Sequence, residues 1–290
     1  MQPDHPPFGP VVNGSMIVVF WEYRPSEPPA LAFMALFSMA ALGHLVYIFM
    51  FRAWFFVPFF LGCIAEVFGY YGRYLSHAQP NVAGPWILQN LLLLSAPPFL
   101  AASLYMSLGR IIVALNAAEY IFISPRWLTK LYVLIDIGCI ASQLIGSTVT
   151  ASGDPSSFAL SRALLLGGLI TQLVALLIFM LFAWRVYHGL KCDLGNGSGI
   201  SPFSQDPAVH WEKHLLAVMA VTFLILIRSV VRAIEFLQGT DGYVASREIF
   251  IYLFDAAFIL MVVLIFLIIY PGRLVRDSRR LEHRDGWVKF

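Results

Sequence analysis

The sequence predicts an all-α membrane protein, a seven-transmembrane-helix bundle with its amino terminus outside and its carboxyl terminus inside. Three observations carry that reading. Of 290 residues, 59% are hydrophobic and 12% charged, with a mean hydropathy of +0.75, whereas a water-soluble chain carries about 25% charge. Seven apolar runs, at about 30–51, 53–74, 86–113, 127–149, 163–187, 214–237 and 247–270, have the length of roughly 20 residues that a helix needs to cross an ~30 Å hydrocarbon layer. They are continuous rather than alternating, which selects helices over a barrel. Finally, Trp21, Trp54, Trp86, Trp127, Trp184 and Trp211 fall at or just outside the ends of these runs, where an indole keeps its ring apolar and its N–H wet.

Residues 1–29 are rich in proline and hold only the short apolar piece Met16 to Trp21, too short and too late for a signal-peptide core. They read as an extracellular tail. Residues 30–270 form one bundle with mostly short loops, and 271–290 a basic cytoplasmic tail. Orientation follows from the basic residues. One set of connections holds Arg52, Arg110, Arg126, Lys130, Arg185, Lys191, Lys213 and the tail residues Arg273, Arg276, Arg279, Arg280, Arg284 and Lys289, and the other holds only Arg24, Arg73, Arg162 and Arg247. Positive charge stays inside. Asn13-Gly14-Ser15 is then a glycosylation acceptor and Asn196-Gly197-Ser198 lies on the wrong side. The Gly-, Ser- and Pro-rich stretch from Gly195 to Pro207 reads as a flexible connector.

The formal charge of +2 and the absence of a basic stripe interleaved with aromatics outside the spans exclude a nucleic-acid partner. Cys63, Cys139 and Cys192 show no paired spacing, so neither a disulfide framework nor a zinc site is indicated. No cofactor is implied. There is no phosphate-binding G-x-x-x-x-G-K-[ST] loop, which rules out direct use of ATP, and no G-x-S-x-G elbow. His44 is the single histidine well inside a span and reads as a hydrogen-bonded packing residue. The chain is expected not to be an enzyme.

The charges that remain inside the spans are the informative residues, because each costs about 3 kcal/mol at mid-bilayer even on a lenient scale. The second span carries Glu66, Tyr70 and Arg73, the sixth Arg228, Arg232 and Glu235, and the seventh Glu248, Tyr252 and Asp255. Each triplet has the spacing i, i+4, i+7, which places it on one helical face, and lipid would reject those faces. At a rise of about 1.5 Å per residue, Glu66 and Arg228 lie roughly 20 Å above the inner ends of their helices and Asp255 about 12 Å below the outer surface. The three faces are therefore expected to meet in the outer half as one cluster, four acids against three arginines, with one surplus acid. The fourth span adds Asp136 and Gln143, with Ser147 continuing their stripe, and the fifth adds Gln172. A separate face of the fourth span, Gly138, Ser142 and Gly146, allows close helix approach. Pro97-Pro98 should kink the third span.

These residues fall in a pattern that resembles a known family, the fungal lipid-translocating exporters of the RTA-like type, named for resistance to an amino-sterol. The resemblance runs from about residue 31 to 271. It rests on E-x-x-G-Y-x-x-R (Glu66 to Arg73), A-P-x-x-x-A-A-x-x-Y-x-x-L-G-R (Ala96 to Arg110), D-x-x-x-x-x-S-Q-x-x-G (Asp136 to Gly146) and G-L-x-x-Q (Gly168 to Gln172). The longest motif, R-S-x-x-R-x-x-E-x-x-x-G-x-x-G, runs from Arg228 to Gly242 and is followed by Glu248, Tyr252 and Asp255. The glycine expected just ahead of the fifth span is missing; Ser161 and Ala163 occupy that stretch. The resemblance implies a multi-pass fungal plasma-membrane protein linked to movement of sphingoid long-chain bases and to tolerance of toxic amphiphiles, with some relatives tied to porphyrin handling. The partner is then a membrane lipid, a sphingoid base or another cationic amphiphile, whose amine one of Glu66, Glu235, Glu248 and Asp255 is suited to hold, Asp255 first. Homo-oligomerisation is left open. The alternative to an exporter is a seven-helix lipid-sensing receptor or regulator that binds without transport.

Overall fold

The computed structural model describes residues 8–12, 15–18, 21, 23–80, 82–115, 117–121, 124–151, 158–195, 210–238, 242–244 and 246–276. The glycosylation sequences at Asn13 and Asn196, nearly all of the Gly195–Pro207 connector and the tail beyond Arg276 lie outside these residues. Among the described residues, seven helices are long and apolar enough to cross a membrane. They are α1 (Glu27–Phe51), α2 (Val57–Ala78), α3 (Ala83–Ala114), α4 (Pro125–Ala151), α5 (Phe158–Gly195), α6 (Trp211–Gln238) and α7 (Glu248–Arg276). Several outrun the apolar runs by a turn or more, because backbone hydrogen bonding continues past the last apolar residue into the polar flank. The chain is not wholly helical. Strands β1 (Phe8–Val12) and β2 (Ser15–Val18) pair antiparallel, with Phe8 opposite Val18 and Val12 opposite Ser15. An Asn-Gly dipeptide flanked by apolar stretches is the composition that favours such a ribbon.

The helices run alternately up and down, each packed on its neighbour in sequence, and α1 closes the ring against α7. The most extensive contact joins α2 and α3. Glycine permits it: a Cβ built on Gly72 would stand 2.9 Å from the Gln89 nitrogen and 3.0 Å from the Pro85 carbonyl, so backbone meets backbone there. Of the small face on α4, Gly146 packs closely on Leu165 and Ser161 of α5, and Ser142 lies against Gly168, whereas a Cβ on Gly138 would meet nothing within 4 Å among the described residues. The close approach covers two positions of the three.

The interior is largely aromatic and aliphatic, and the outward faces of the helices carry exposed apolar residues such as Met39, Leu134, Leu181 and Ile268. α2 shows why the sequence folds this way, since Phe59, Cys63, Glu66, Tyr70 and Arg73 recur at helical spacing on the buried side while Leu61, Phe68 and Tyr71 are exposed. An outward apolar surface of this extent belongs in lipid. Near the end of the bundle where α1 finishes, His44 is fully buried, its Nε2 3.1 Å from the Val263 carbonyl and its ring packed among Phe56 and Phe59.

Candidate functional site

The intramembrane charges gather at the end of the bundle where α1 and α7 begin. Their hydrogen bonds fall into two layers, which border one cavity. In the shallower layer Arg73 of α2 is fully buried and donates to Glu248 Oε1 at 2.7 Å, to the Tyr252 hydroxyl at 2.9 Å, to the Tyr23 hydroxyl at 3.0 Å and to Gln89 Oε1 at 3.3 Å. Glu248 also accepts from the Ser26 amide at 2.7 Å and the Ser26 hydroxyl at 2.5 Å. Ser26 occupies the N-cap position of α1 and its side chain caps nothing there, because the hydroxyl is committed to α7. The segment ahead of α1 is thus strapped across the bundle. His77 Nδ1 lies 2.7 Å from the Pro25 carbonyl, and Arg24 donates to the His77 carbonyl at 3.0 Å. Burial holds the Tyr23 hydroxyl above its ordinary ionisation range, with the Arg73 guanidinium pulling the other way, so Tyr23 stays neutral and serves Arg73 as an acceptor.

The deeper layer centres on Asp255. Arg228 Nε donates to its Oδ1 and Arg232 Nη2 to its Oδ2, both at 2.5 Å, and Arg232 reaches Glu235 at 3.0 Å. Asp255 therefore sits between two guanidiniums with its charge already compensated, which leaves the residue expected to take an amine engaged within the protein. Its place is set by the helix: Ile251–Ala256 of α7 is π-helical, with the Ala257 amide donating to the Tyr252 carbonyl, five residues back. Such wide turns are frequent at functional sites. α3 contributes through a missing donor. Pro97 has no N–H to give the carbonyl four residues earlier, and that carbonyl, on Leu93, accepts from Arg228 Nη2 at 2.7 Å. The two prolines lie within a continuous helix, so their consequence here is a freed acceptor.

Glu66 and Tyr70 are fully buried beside this layer, Glu66 within electrostatic reach of Asp255, Arg228 and Arg232. Neither oxygen of Glu66 nor the Tyr70 hydroxyl has a hydrogen-bond partner among the described residues. The Tyr70 ring stacks on Phe37, centroids 5.8 Å apart, and on Phe33. Asp136, Gln143 and Gln172 form a separate buried patch between α3, α4 and α5, where Gln143 Nε2 approaches Gln172 Oε1 at 3.5 Å and Asp136 neighbours Tyr105.

Beside the two layers lies a cavity of about 320 Å³, within the usual range for small-molecule sites. Of the polar residues read inside the spans, Arg73, Ser147, Arg228, Arg232, Glu235 and Asp255 line it; Glu248 and Tyr252 hold Arg73 from outside the lining, Glu66 and Tyr70 also lie outside it, and Asp136, Gln143 and Gln172 are elsewhere. The cavity also takes in Trp21, Tyr23, Trp86, Gln89, Arg162 and Arg247, none of which the helical-face argument selects. Trp21, Tyr23 and Arg247 stand ahead of helices and Trp86, Gln89 and Arg162 in the first two turns of theirs; the tryptophans read as interface anchors and the arginines as topology markers, and Tyr23 and Gln89 carry no such signal. Arg162 and Arg247 change the charge balance, because the lining holds five arginines against the carboxylates Glu235 and Asp255. The surplus acid expected from the sequence becomes a basic excess.

Comparison with known proteins places this geometry in a family. The family model described as RTA1 like protein matches residues 59–278, which include nearly all of α2, the whole of α3 to α7, and both charged layers apart from Tyr23 and Ser26. The chain is 34% identical over 211 residues to Protoporphyrin uptake protein 1 of Saccharomyces cerevisiae, covering 73% of this chain and 67% of the relative. It is 32% identical over 221 residues to Protein RTA1 of the same yeast, covering 74% and 65%. It is 24% identical over 256 residues to the yeast Sphingoid long-chain base transporter RSB1, covering 79% and 67%. The chain thus spans about two thirds of the length of these curated relatives. No solved structure matches. Names that specify an uptake protein and a transporter, rather than enzymes, accompany seven membrane-crossing helices, and the protein is a multi-pass membrane protein that belongs to the RTA1-like family.

Proposed function

We propose that the protein moves amphiphilic lipids across the membrane, acting as an exporter of the kind that confers tolerance to toxic lipids, with sphingoid long-chain bases or similar amphiphiles as substrates. The carrying observation is the cavity itself, a polar and charged chamber on membrane-spanning helices whose other wall is apolar, formed by Leu94, Leu165, Phe236, Phe250 and Phe254. A headgroup and the root of a hydrocarbon chain have opposite needs, and this chamber offers a surface for each. A relative named as a sphingoid long-chain base transporter supports the substrate class. For an amine headgroup the acceptors are Glu235, paired once, and Glu66, which has no partner among the described residues, since Asp255 and Glu248 are held by arginines. A fungal plasma membrane and an outward-facing amino terminus complete this reading.

Reconstitution in vesicles tests it. Release of a labelled sphingoid base, and in parallel of labelled neutral and anionic amphiphiles, should exceed that from protein-free vesicles for at least one class. Rates equal to empty vesicles for every class would remove transport; saturable binding without flux would move the assignment to a lipid-sensing receptor or regulator.

A further inference from the structure

The sign of charge in the cavity carries a conclusion about what sits there. Its lining holds Arg73, Arg162, Arg228, Arg232 and Arg247 against Glu235 and Asp255. Both carboxylates are consumed, Asp255 between Arg228 and Arg232 and Glu235 on Arg232. Arg73 is likewise held, by Glu248 just outside the lining, but the other four arginines are not fully committed. Arg228 Nη1 and Arg232 Nε have no hydrogen-bond partner among the described residues, although the two residues are only 1% and 6% exposed. Arg162 gives one nitrogen to the Leu237 carbonyl, and Arg247 stacks over the Tyr243 ring at 4.2 Å; a guanidinium carries five donors, so both retain capacity. Buried donors without acceptors are costly, and a planar fork of N–H groups matches the oxygens of a carboxylate or phosphate in pairs. An ammonium entering the same space would face this basic excess, with Glu235, already paired to Arg232, as the acceptor left to it in the lining.

We infer that the cavity between α2, α3, α5, α6 and α7 is an oxyanion site, which takes the carboxylate or phosphate headgroup of an amphiphile while its apolar body lies along Phe236, Phe250, Phe254, Leu94 and Leu165. This rests on the amphiphile-carrier reading above and puts an oxyanion, in place of the amine of a sphingoid base, as the headgroup held in that same chamber. Arg228 and Arg232 supply the inner donors. Arg162 and Arg247, which enter from the ends of α5 and α7, supply the rim.

The purified protein in a non-ionic detergent offers a direct measurement, because Trp21 and Trp86 line the cavity and their fluorescence reports occupancy. Dodecanoate, dodecyl phosphate and dodecylamine, titrated below their micelle thresholds, share one tail and differ in headgroup. At least one of the two anions should bind saturably and about tenfold or more tighter than the amine, the scale of one charge-assisted hydrogen bond. Preference for dodecanoate identifies a carboxylated amphiphile as the source of the headgroup, and preference for dodecyl phosphate a lipid phosphate. The Arg162→Ala, Arg247→Ala double variant, which leaves the buried network intact, should lose most of that preference. Amine binding as tight as that of both anions, or anion binding unchanged in the double variant, would overturn the assignment. Equilibrium binding needs no flux: a protein that binds the anion but moves nothing keeps this site and loses the carrier reading, while amine flux without anion binding does the reverse.

Discussion

Two buried acids of similar depth, Asp255 and Glu66, are predicted to behave oppositely. Asp255 touches two arginines at 2.5 Å each, so Asp255→Asn leaves two buried guanidiniums with Glu235, on Arg232, as the one acid still paired to either. Breaking a buried pair of this kind costs about 3–5 kcal/mol. Glu66 is equally buried, yet neither of its oxygens has a hydrogen-bond partner among the described residues. Glu66→Gln breaks no hydrogen bond seen there and should change stability by less than about 1 kcal/mol. Thermal unfolding in detergent, followed by tryptophan fluorescence, compares the two. A fall for Glu66→Gln as deep as that for Asp255→Asn would mean that Glu66 carries part of the arginines' compensation through space. The same comparison shows what a sequence discloses of a site. Helical spacing identified Arg228, Arg232 and Asp255 as facing inward, because an uncompensated charge cannot face lipid. Spacing does not tell which acid meets which base; side-chain reach and the π-helical turn at Ile251–Ala256 settle that.

At the scale of helices, close packing makes some glycines irreplaceable and leaves others free. Gly72 on α2 faces the backbone of α3, with a Cβ only 2.9 Å from the Gln89 nitrogen and 3.0 Å from the Pro85 carbonyl. Backbone cannot rotate away as a side chain can. Gly72→Ala should therefore push α2 from α3 and cost about 1–3 kcal/mol, the usual penalty of overpacking, and because Arg73 and Gln89 are adjacent it should also disturb the hydrogen bond between them at 3.3 Å. A Cβ on Gly138 of α4 would meet nothing within 4 Å among the described residues. Gly138→Ala is expected to be neutral or to stabilise by up to about 1 kcal/mol through helix propensity. Unfolding midpoints of the two variants decide this, and equal losses would contradict it. Small residues at spacing four drew attention to α4, whereas the tightest contact to backbone lies on α2, where the pattern G-Y-Y-G of Gly69 to Gly72 was absorbed into a charged motif. The helices themselves were legible throughout, since a bilayer tolerates few alternatives. The ribbon of β1 and β2 was not, because four or five residues without apolar alternation, inside a proline-rich segment, give too weak a signal to separate from coil.

The whole molecule has two ends of unlike character, and orientation decides what the cavity serves. The end that carries it is strapped by Tyr23 to Ser26 and holds Arg24, Arg73, Arg162 and Arg247; the opposite end carries Arg52, Arg110, Lys130, Arg185, Lys191, Lys213, Arg273 and Arg276. That asymmetry is the basis for placing the cavity outside and the basic end in the cytoplasm. The native cysteines allow the proposal to be tested without engineering the bundle. Cys63 and Cys139 are buried and Cys192, near the end of α5 on the more basic side, is exposed. A membrane-impermeant maleimide should accordingly leave the protein unlabelled in intact cells and modify it once the membrane is permeabilised, with the Cys192→Ser variant abolishing the signal. Labelling of Cys192 from outside intact cells would invert the molecule, place the arginine-lined cavity against the cytoplasm, and turn an exporter's outer chamber into an entry site for lipid drawn from within.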